Sequence, residues 1–222
     1  FDAGIRQLAQ YPIAGAIWYQ GESNAHNKDA HAKLFKLLTE SWRENWENDS
    51  LPFYFVQLSS INRPSWTWFR DSQRRLQAEI PFTGMAVSSD LGDSLDVHPI
   101  HKKEIGERLA RIALYNTYGK TAVVPSGPLF REVNFKRKEA IVTFDYAEGL
   151  QTSDGKSPQT FEIAEFPGLF FPAKAKITGN QIQLTAPEVK NPKFVRYGWQ
   201  PFTRANLINA AELPASTFTT EE

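Results

Sequence analysis

Three short apolar runs, each followed by a helix-like stretch, constrain this chain more than any other feature. Residues 13–19 (IAGAIWY), 51–58 (LPFYFVQL) and 83–90 (TGMAVSSD) have strand length and are dominated by apolar side chains. Such a run, with little polar alternation, is the pattern of a strand covered on both faces. Between them, residues 28–47 place Ala32, Phe35, Leu38, Trp42 and Trp46 at spacings of three and four, which makes an amphipathic helix. Residues 65–80 form a second helix, with Trp66, Phe69, Leu76 and Ile80 facing inward. Residues 99–118 form a third, with Pro99 in its first turn and Gly119 just past its end. A short helix is also expected over residues 2–10, with Asp2 near its start. Strand and helix in alternation predict an α/β fold with a parallel sheet and helices on its faces.

The pattern changes after residue 121. Residues 122–222 hold many short β-like runs separated by Gly, Pro, Asn and Asp. Lys174–Thr178 and Gln181–Thr185, joined through Gly179-Asn180, read as a hairpin. Strands at roughly ten-residue spacing predict an antiparallel sandwich or barrel. Two domains are therefore expected, 1–121 and 122–222. The stretch KTAVVPSGP (120–128) reads as the linker, and residues from about 195 to 222 return to pack on the first domain.

Charge removes two classes of function. Lys plus Arg number 25 and Asp plus Glu number 25, so the chain lacks the basic excess of a nucleic-acid binder. The same balance gives no reason to expect a membrane surface as partner, and no apolar run reaches the ~20 residues of a bilayer span. There is no cysteine, which excludes disulfides and thiolate metal sites. With no HExxH motif and no acidic residues at ligand spacing, neither a metal nor another cofactor is expected.

In an open parallel sheet, ligands bind beyond the carboxyl ends of the strands. The three segments at that edge are QGESN (20–24), SSIN (59–62) and SDLGDSLDVHP (89–99), all polar. The third holds Asp96 and His98, and a histidine beside an acid in an edge loop suits a general base. Plainer readings compete. Glu22 and Asn24 fit as caps of the helix beginning near residue 27. His31 reads as a packing or surface residue, His101 as a solvated one, and His26 as a loop residue without a role. Trp42, Trp46, Trp66 and Trp68 read as core rather than as sugar platforms. A different class of function is also open: Tyr197, Trp199 and Phe202 in the β-rich half fit the aromatic platform of a carbohydrate-binding module without catalysis.

The run IAGAIWYQGESNA resembles the signature block of the sialate O-acetylesterase family of SGNH-type hydrolases. DLGDSLDVHPIHKKEIGERLA resembles its histidine block, and the β-rich half is similar to the C-terminal part of bacterial members. The resemblance runs along nearly the whole chain. It implies a partial SGNH-type, flavodoxin-like sheet. It also implies removal of O-acetyl groups from carbohydrates, sialic acids above all, with acetylated plant polysaccharides such as acetylxylan as the alternative, and a periplasmic or secreted protein. His98 would be the base and Asp96 the acid that orients it, with Asp93 or a backbone carbonyl as alternatives. Gln20 would donate to the oxyanion, Gly21 would let the backbone approach closely, and Glu22 and Asn24 would hold the loop or contact substrate. The resemblance departs from the family pattern at one point. The GQSN-type block that carries the family's serine nucleophile has no counterpart here; Ser23 is the nearest look-alike. The nucleophile is therefore expected on a separate segment that stays associated, because three strands alone would leave an apolar sheet edge open.

Overall fold

Each of the three apolar runs contributes a strand. The structure, a computed structural model, describes residues 1–221. Its first helix, α1 (Ile5–Leu8), is a single turn with no buried residue, shorter than the expected 2–10. Strands β1 (Ala16–Trp18), β2 (Phe53–Val56) and β3 (Thr83–Ala86) pair in parallel in the order β1-β2-β3. All four residues of β2 are buried, as a central strand between two helical layers requires. Its side chains alternate between those layers. Phe53 and Phe55 share a buried cluster with Phe35, Leu76 and Ile80, from α2 (Lys28–Asn45) and α3 (Trp66–Glu79) with its C-cap. Tyr54 and Val56 face Ile105, Leu109 and Ile112 of α4 (Lys102–Asn116). Burying each such side chain contributes about 1.5–3 kcal/mol relative to exposure.

Helix α2 starts where Asn27 accepts the Ala30 N–H at 3.1 Å, so neither Glu22 nor Asn24 caps it. Helix α4 starts three residues after Pro99, outside the turn expected for that proline. His101 has ψ 58°, which places it before the first helical residue. On the outer side of β1 no strand pairs among the described residues, and Ile17 there is 70% exposed.

The β-rich half forms two antiparallel four-stranded sheets and a two-stranded ribbon. The strands are β4 (Leu129–Lys136), β5 (Glu139–Asp145), β6 (Gln151–Thr152), β7 (Phe161–Ala164), β8 (Phe171–Pro172), β9 (Lys174–Thr178), β10 (Gln181–Thr185), β11 (Phe194–Tyr197), β12 (Leu207–Ile208) and β13 (Phe218–Thr219). The orders are β4-β5-β10-β9, β13-β11-β7-β8 and β12-β6. Gly179, at φ 59°, turns β9 into β10, with Gln181 opposite Thr178. Val142, Ile182 and Leu184 of one sheet share a buried cluster with Ile163, Val195 and Phe218 of the other, so the sheets pack face to face as a sandwich.

The two halves are tied at α3. Arg70 is fully buried, and its guanidinium donates to the carbonyls of Gly198 (3.0 Å), Gln200 (2.6 Å) and Pro201 (2.9 Å). Burial pulls its pKa down to about 9, and the three carbonyl acceptors hold it as the cation at neutral pH. The buried Asp71 carboxylate accepts from Arg74 and Arg75 at 2.8 Å each, and Arg75 donates on to the Thr219 and Glu221 carbonyls. Of the expected linker 120–128, residues 120–122 are exposed and 125–128 are buried. A Cβ on Gly127 would stand 2.1 Å from the Pro214 carbonyl oxygen, so this segment is packed rather than hinged.

Candidate active site

The segment after β1 turns on Gly21. Its φ of 150° disfavours any side chain, and a Cβ there would lie 2.9 Å from two ring carbons of Phe69. The close approach brings Gln20 to the carboxyl edge of the sheet, and a short 3-10 turn, Glu22–Asn24, follows. Gly21→Ala is expected to destabilise the fold by about 1–3 kcal/mol, through backbone strain and overpacking of Phe69. A urea denaturation midpoint unchanged from wild type would contradict this.

The segment after β3 is built on its own acids. Asp93 accepts the Leu95 and Asp96 N–H groups at 2.7 and 3.1 Å, and these bonds hold its carboxyl below the usual range. That carboxylate is occupied by the loop backbone. Asp96 Oδ1 accepts the His98 N–H at 2.8 Å and lies 3.4 Å from His98 Nδ1. At the loop's base Asp90 and Arg108 form a two-pronged pair at 2.6 and 2.7 Å. Gly92 lets the loop lie against residue 60, where a Cβ would stand 2.1 Å from the Ser60 carbonyl oxygen.

The segment after β2 corrects the expectation that all three polar tails face a ligand. Ser59 and Ser60 are buried, and Ser60 donates to the Ser89 carbonyl at 2.6 Å. Ser88 donates to the Gln57 carbonyl at 2.6 Å. These hydroxyls satisfy buried backbone groups and tie β2 to β3. Only Arg63, further along, reaches the opening.

Gln20 and His98 line one cavity of about 490 Å³, together with Tyr19, Glu22, Ser23, Arg63, Val97 and Lys102. Gly21, Asn24 and Asp96 do not line it, although Asp96 lies beside His98. Asn24 turns away: its amide lies 3.4 Å from Nδ1 of the buried His31, whose ring packs on Phe69 and Phe35. Burial lowers the His31 pKa, which favours the neutral ring that an amide donor needs. His101 lies 3.5 Å from Glu104 and is absent from the cavity lining. Sequence reasoning missed Tyr19, Arg63 and Lys102. Tyr19 ends the first apolar run, and its phenol is pushed up to about 12 by burial, then by Glu22. Lys102 sits 4.4 Å over the Tyr19 ring. Its place on the first turn of α4 is the one signal that could have marked it.

The cavity is open. The His98 side chain is 85% exposed and that of Asp96 61%. An imidazole held by a carboxylate can take a proton from a hydroxyl, and an amide can donate to a developing oxyanion. The platform suggested for the β-rich half is not available in this form, because Tyr197 and Trp199 are 1% and 9% exposed.

Comparison with known proteins gives a consistent set of relatives. The family model described as carbohydrate esterase, sialic acid-specific acetylesterase, matches residues 3–115, about half of the chain. Sialate O-acetylesterase of Rattus norvegicus is 30% identical over 186 residues, covering 74% of this chain and 34% of that protein. The Homo sapiens sialate O-acetylesterase is also 30% identical over 186 residues, with 74% and 35% covered. A crystal structure of a carbohydrate acetylesterase from Xanthomonas citri superposes with a TM-score of 0.90 at 36% identity, over 96% of this chain and 51% of that one. The chain thus spans about a third of the length of the curated relatives it matches.

Proposed function

The chain belongs to the sialic acid-specific acetylesterase family of carbohydrate esterases, and from this we propose that it supplies the base and the oxyanion side of a carbohydrate O-acetylesterase site. The observation that carries the reading is the meeting of Gln20 and His98 in one cavity at the carboxyl edge of the parallel sheet. The serine nucleophile lies on a segment outside these 222 residues. The exposed imidazole and the unpaired outer edge of β1 both support that placement. The substrate is an O-acetylated sugar, sialic acid first and acetylxylan second.

In this mechanism the serine oxygen attacks the acetyl carbonyl while His98 takes its proton, and Asp96 steadies the imidazolium. The carbonyl oxygen gains negative charge, which the Gln20 amide stabilises. His98 returns the proton to the departing sugar oxygen. Water then attacks the acyl-serine with His98 again as base, which releases acetate and restores the hydroxyl.

Gln20→Ala is expected to lower kcat by ~10²-fold with little change in fold, because the bond to the oxyanion forms fully only in the transition state. Asp96→Asn should cost less than loss of His98, since the asparagine oxygen can still accept the His98 N–H. Hydrolysis of an aryl acetate, 9-O-acetyl sialic acid and acetylxylan measures both effects and ranks the substrates. Wild-type kcat in Gln20→Ala would remove Gln20 from the oxyanion site. Ser23 lines the same cavity and is the second candidate nucleophile. Hydrolysis by the 222-residue chain alone that vanishes in Ser23→Ala would move the nucleophile there. The same reading puts the protein in the periplasm or outside the cell, and its recovery only from the cytosol on fractionation would overturn that.

A further inference from the structure

Helices α2 and α3 do not close against each other along their outer side. A cleft of about 370 Å³ runs between them, floored by Ala32 and Leu76 and lined along α3 by Trp68, Ser72, Arg75 and Glu79. At the amino ends of the two helices it meets a second hollow, of about 460 Å³, which contains His26, Asn27 and Ser65. Lys28, Asp29 and Trp68 line both, so the two form one groove. The upper end lies beside the candidate active site. Ser23 and Arg63 line the catalytic cavity, and Ala25 and Ser65, two residues further along each segment, line the groove.

Trp68 is 39% exposed, whereas Trp66 one turn-edge away is 2% exposed and Trp199 9%. Its indole stands at 86° to the buried Trp199, with ring centroids 4.8 Å apart, so its position is already set by packing. A ring fixed in advance loses little freedom when something stacks on it.

We propose that this groove is a binding site for an oligosaccharide chain, which holds the sugars next to the acetylated one while that sugar occupies the Gln20–His98 cavity. The proposal rests on the esterase reading for the direction of the chain, but the binding itself does not. A pyranose ring has an apolar C–H face and a rim of hydroxyls. The groove offers an indole for the face, and Lys28, Asp29, Ser72 and Glu79 as hydrogen-bonding groups for the rim. An amphipathic helix would need more apolar walls, since Asp71, Arg75 and Glu79 line this groove. A nucleic acid would meet four acidic residues, Asp29, Asp71, Glu79 and Glu221. From Ser65 to Glu79 the helix rises about 21 Å, more than one sugar ring needs.

The test compares affinities of sialyllactose and xylohexaose with those of N-acetylneuraminate and xylose, by calorimetric titration of the protein with its nucleophile-bearing segment present. At least one oligosaccharide is expected to bind about tenfold more tightly than its monosaccharide. Trp68→Ala should abolish that advantage and Trp68→Phe should keep most of it. Ser72→Trp, which fills the cleft without touching the Trp199 contact, should abolish it in a protein whose melting curve is unchanged. An advantage that persists in Ser72→Trp, or no advantage for either oligosaccharide, overturns the groove. His98→Ala separates the two readings, because it should stop acetyl-ester hydrolysis while the tenfold advantage of oligosaccharide over monosaccharide, which comes from the groove, remains. Hydrolysis that survives in His98→Ala with the tenfold advantage present would sink the esterase mechanism and spare the groove.

Discussion

Replacing His98 by alanine is expected to cut acetyl-ester turnover by at least about 10³-fold, with the nucleophile-bearing segment present and the fold unchanged. Serine is a weak nucleophile until a base removes its proton, and loss of the base in such a unit removes most of the rate enhancement. No other imidazole lines the cavity: His31 is buried under Phe69, His101 lies beside Glu104, and His26 faces the neighbouring hollow. The side chain is largely exposed, so its removal leaves no cavity in the core and stability should move by less than about 0.5 kcal/mol. Steady-state rates on an aryl acetate, with a thermal melt on the same sample, make the check. A rate within tenfold of wild type would refute the base assignment.

The second large effect concerns stability. Arg70→Ala is expected to destabilise the folded chain by about 3–5 kcal/mol. The substitution removes the guanidinium that serves three carbonyls on residues 198–201; the Gln200 carbonyl loses its donor, while Pro201 keeps the Ile61 N–H and Gly198 the more distant Thr217 hydroxyl. It also opens a void under α3. Arg75→Ala, in contrast, should cost about 1 kcal/mol or less, because that side chain is 40% exposed and its ion pair with Asp71 is shared with Arg74. Urea denaturation of the two variants gives the comparison. Equal midpoints would mean that Arg70 is not the principal tie between the halves.

The sheet was readable because buried parallel strands are apolar throughout and sit between amphipathic helices. All three runs became strands, in parallel and in sequence order. Their ends were not readable. The outer residues of each run are apolar for packing reasons but lie outside the ladder, as Leu51 and Leu58 do at 1% exposure. Pro99 looked like a helix start because proline suits that position; the ψ of His101 delayed the start to Lys102. The cavity pairing of Gln20 with His98 followed from the rule that strand ends share an edge. The roles of Ser60 and Ser88 did not, since a polar tail that serves buried carbonyls looks the same in sequence as one that serves a ligand. Trp68 was misread as core: the spacing that buries Trp66 and Phe69 leaves position 68 on the open side of α3. Arg70 gave no signal, because its acceptors are backbone carbonyls about 130 positions away.

That distance has a consequence for how the molecule comes into being. Chains emerge from the ribosome amino end first, and early parts begin to fold before later ones exist. Strands β1–β3 and helices α2–α4 have all been made by Asn116, yet the acceptors of Arg70 are not made until residues 198–201 appear. Until then the guanidinium must stay hydrated, so α3 cannot seat fully and the loop at residues 59–63, whose Ile61 N–H donates to Pro201, stays loose. The edge that carries Arg63 therefore takes its final shape only after most of the β-rich half has been synthesised, and the Gln20–His98 cavity is among the last features of the nascent chain to form.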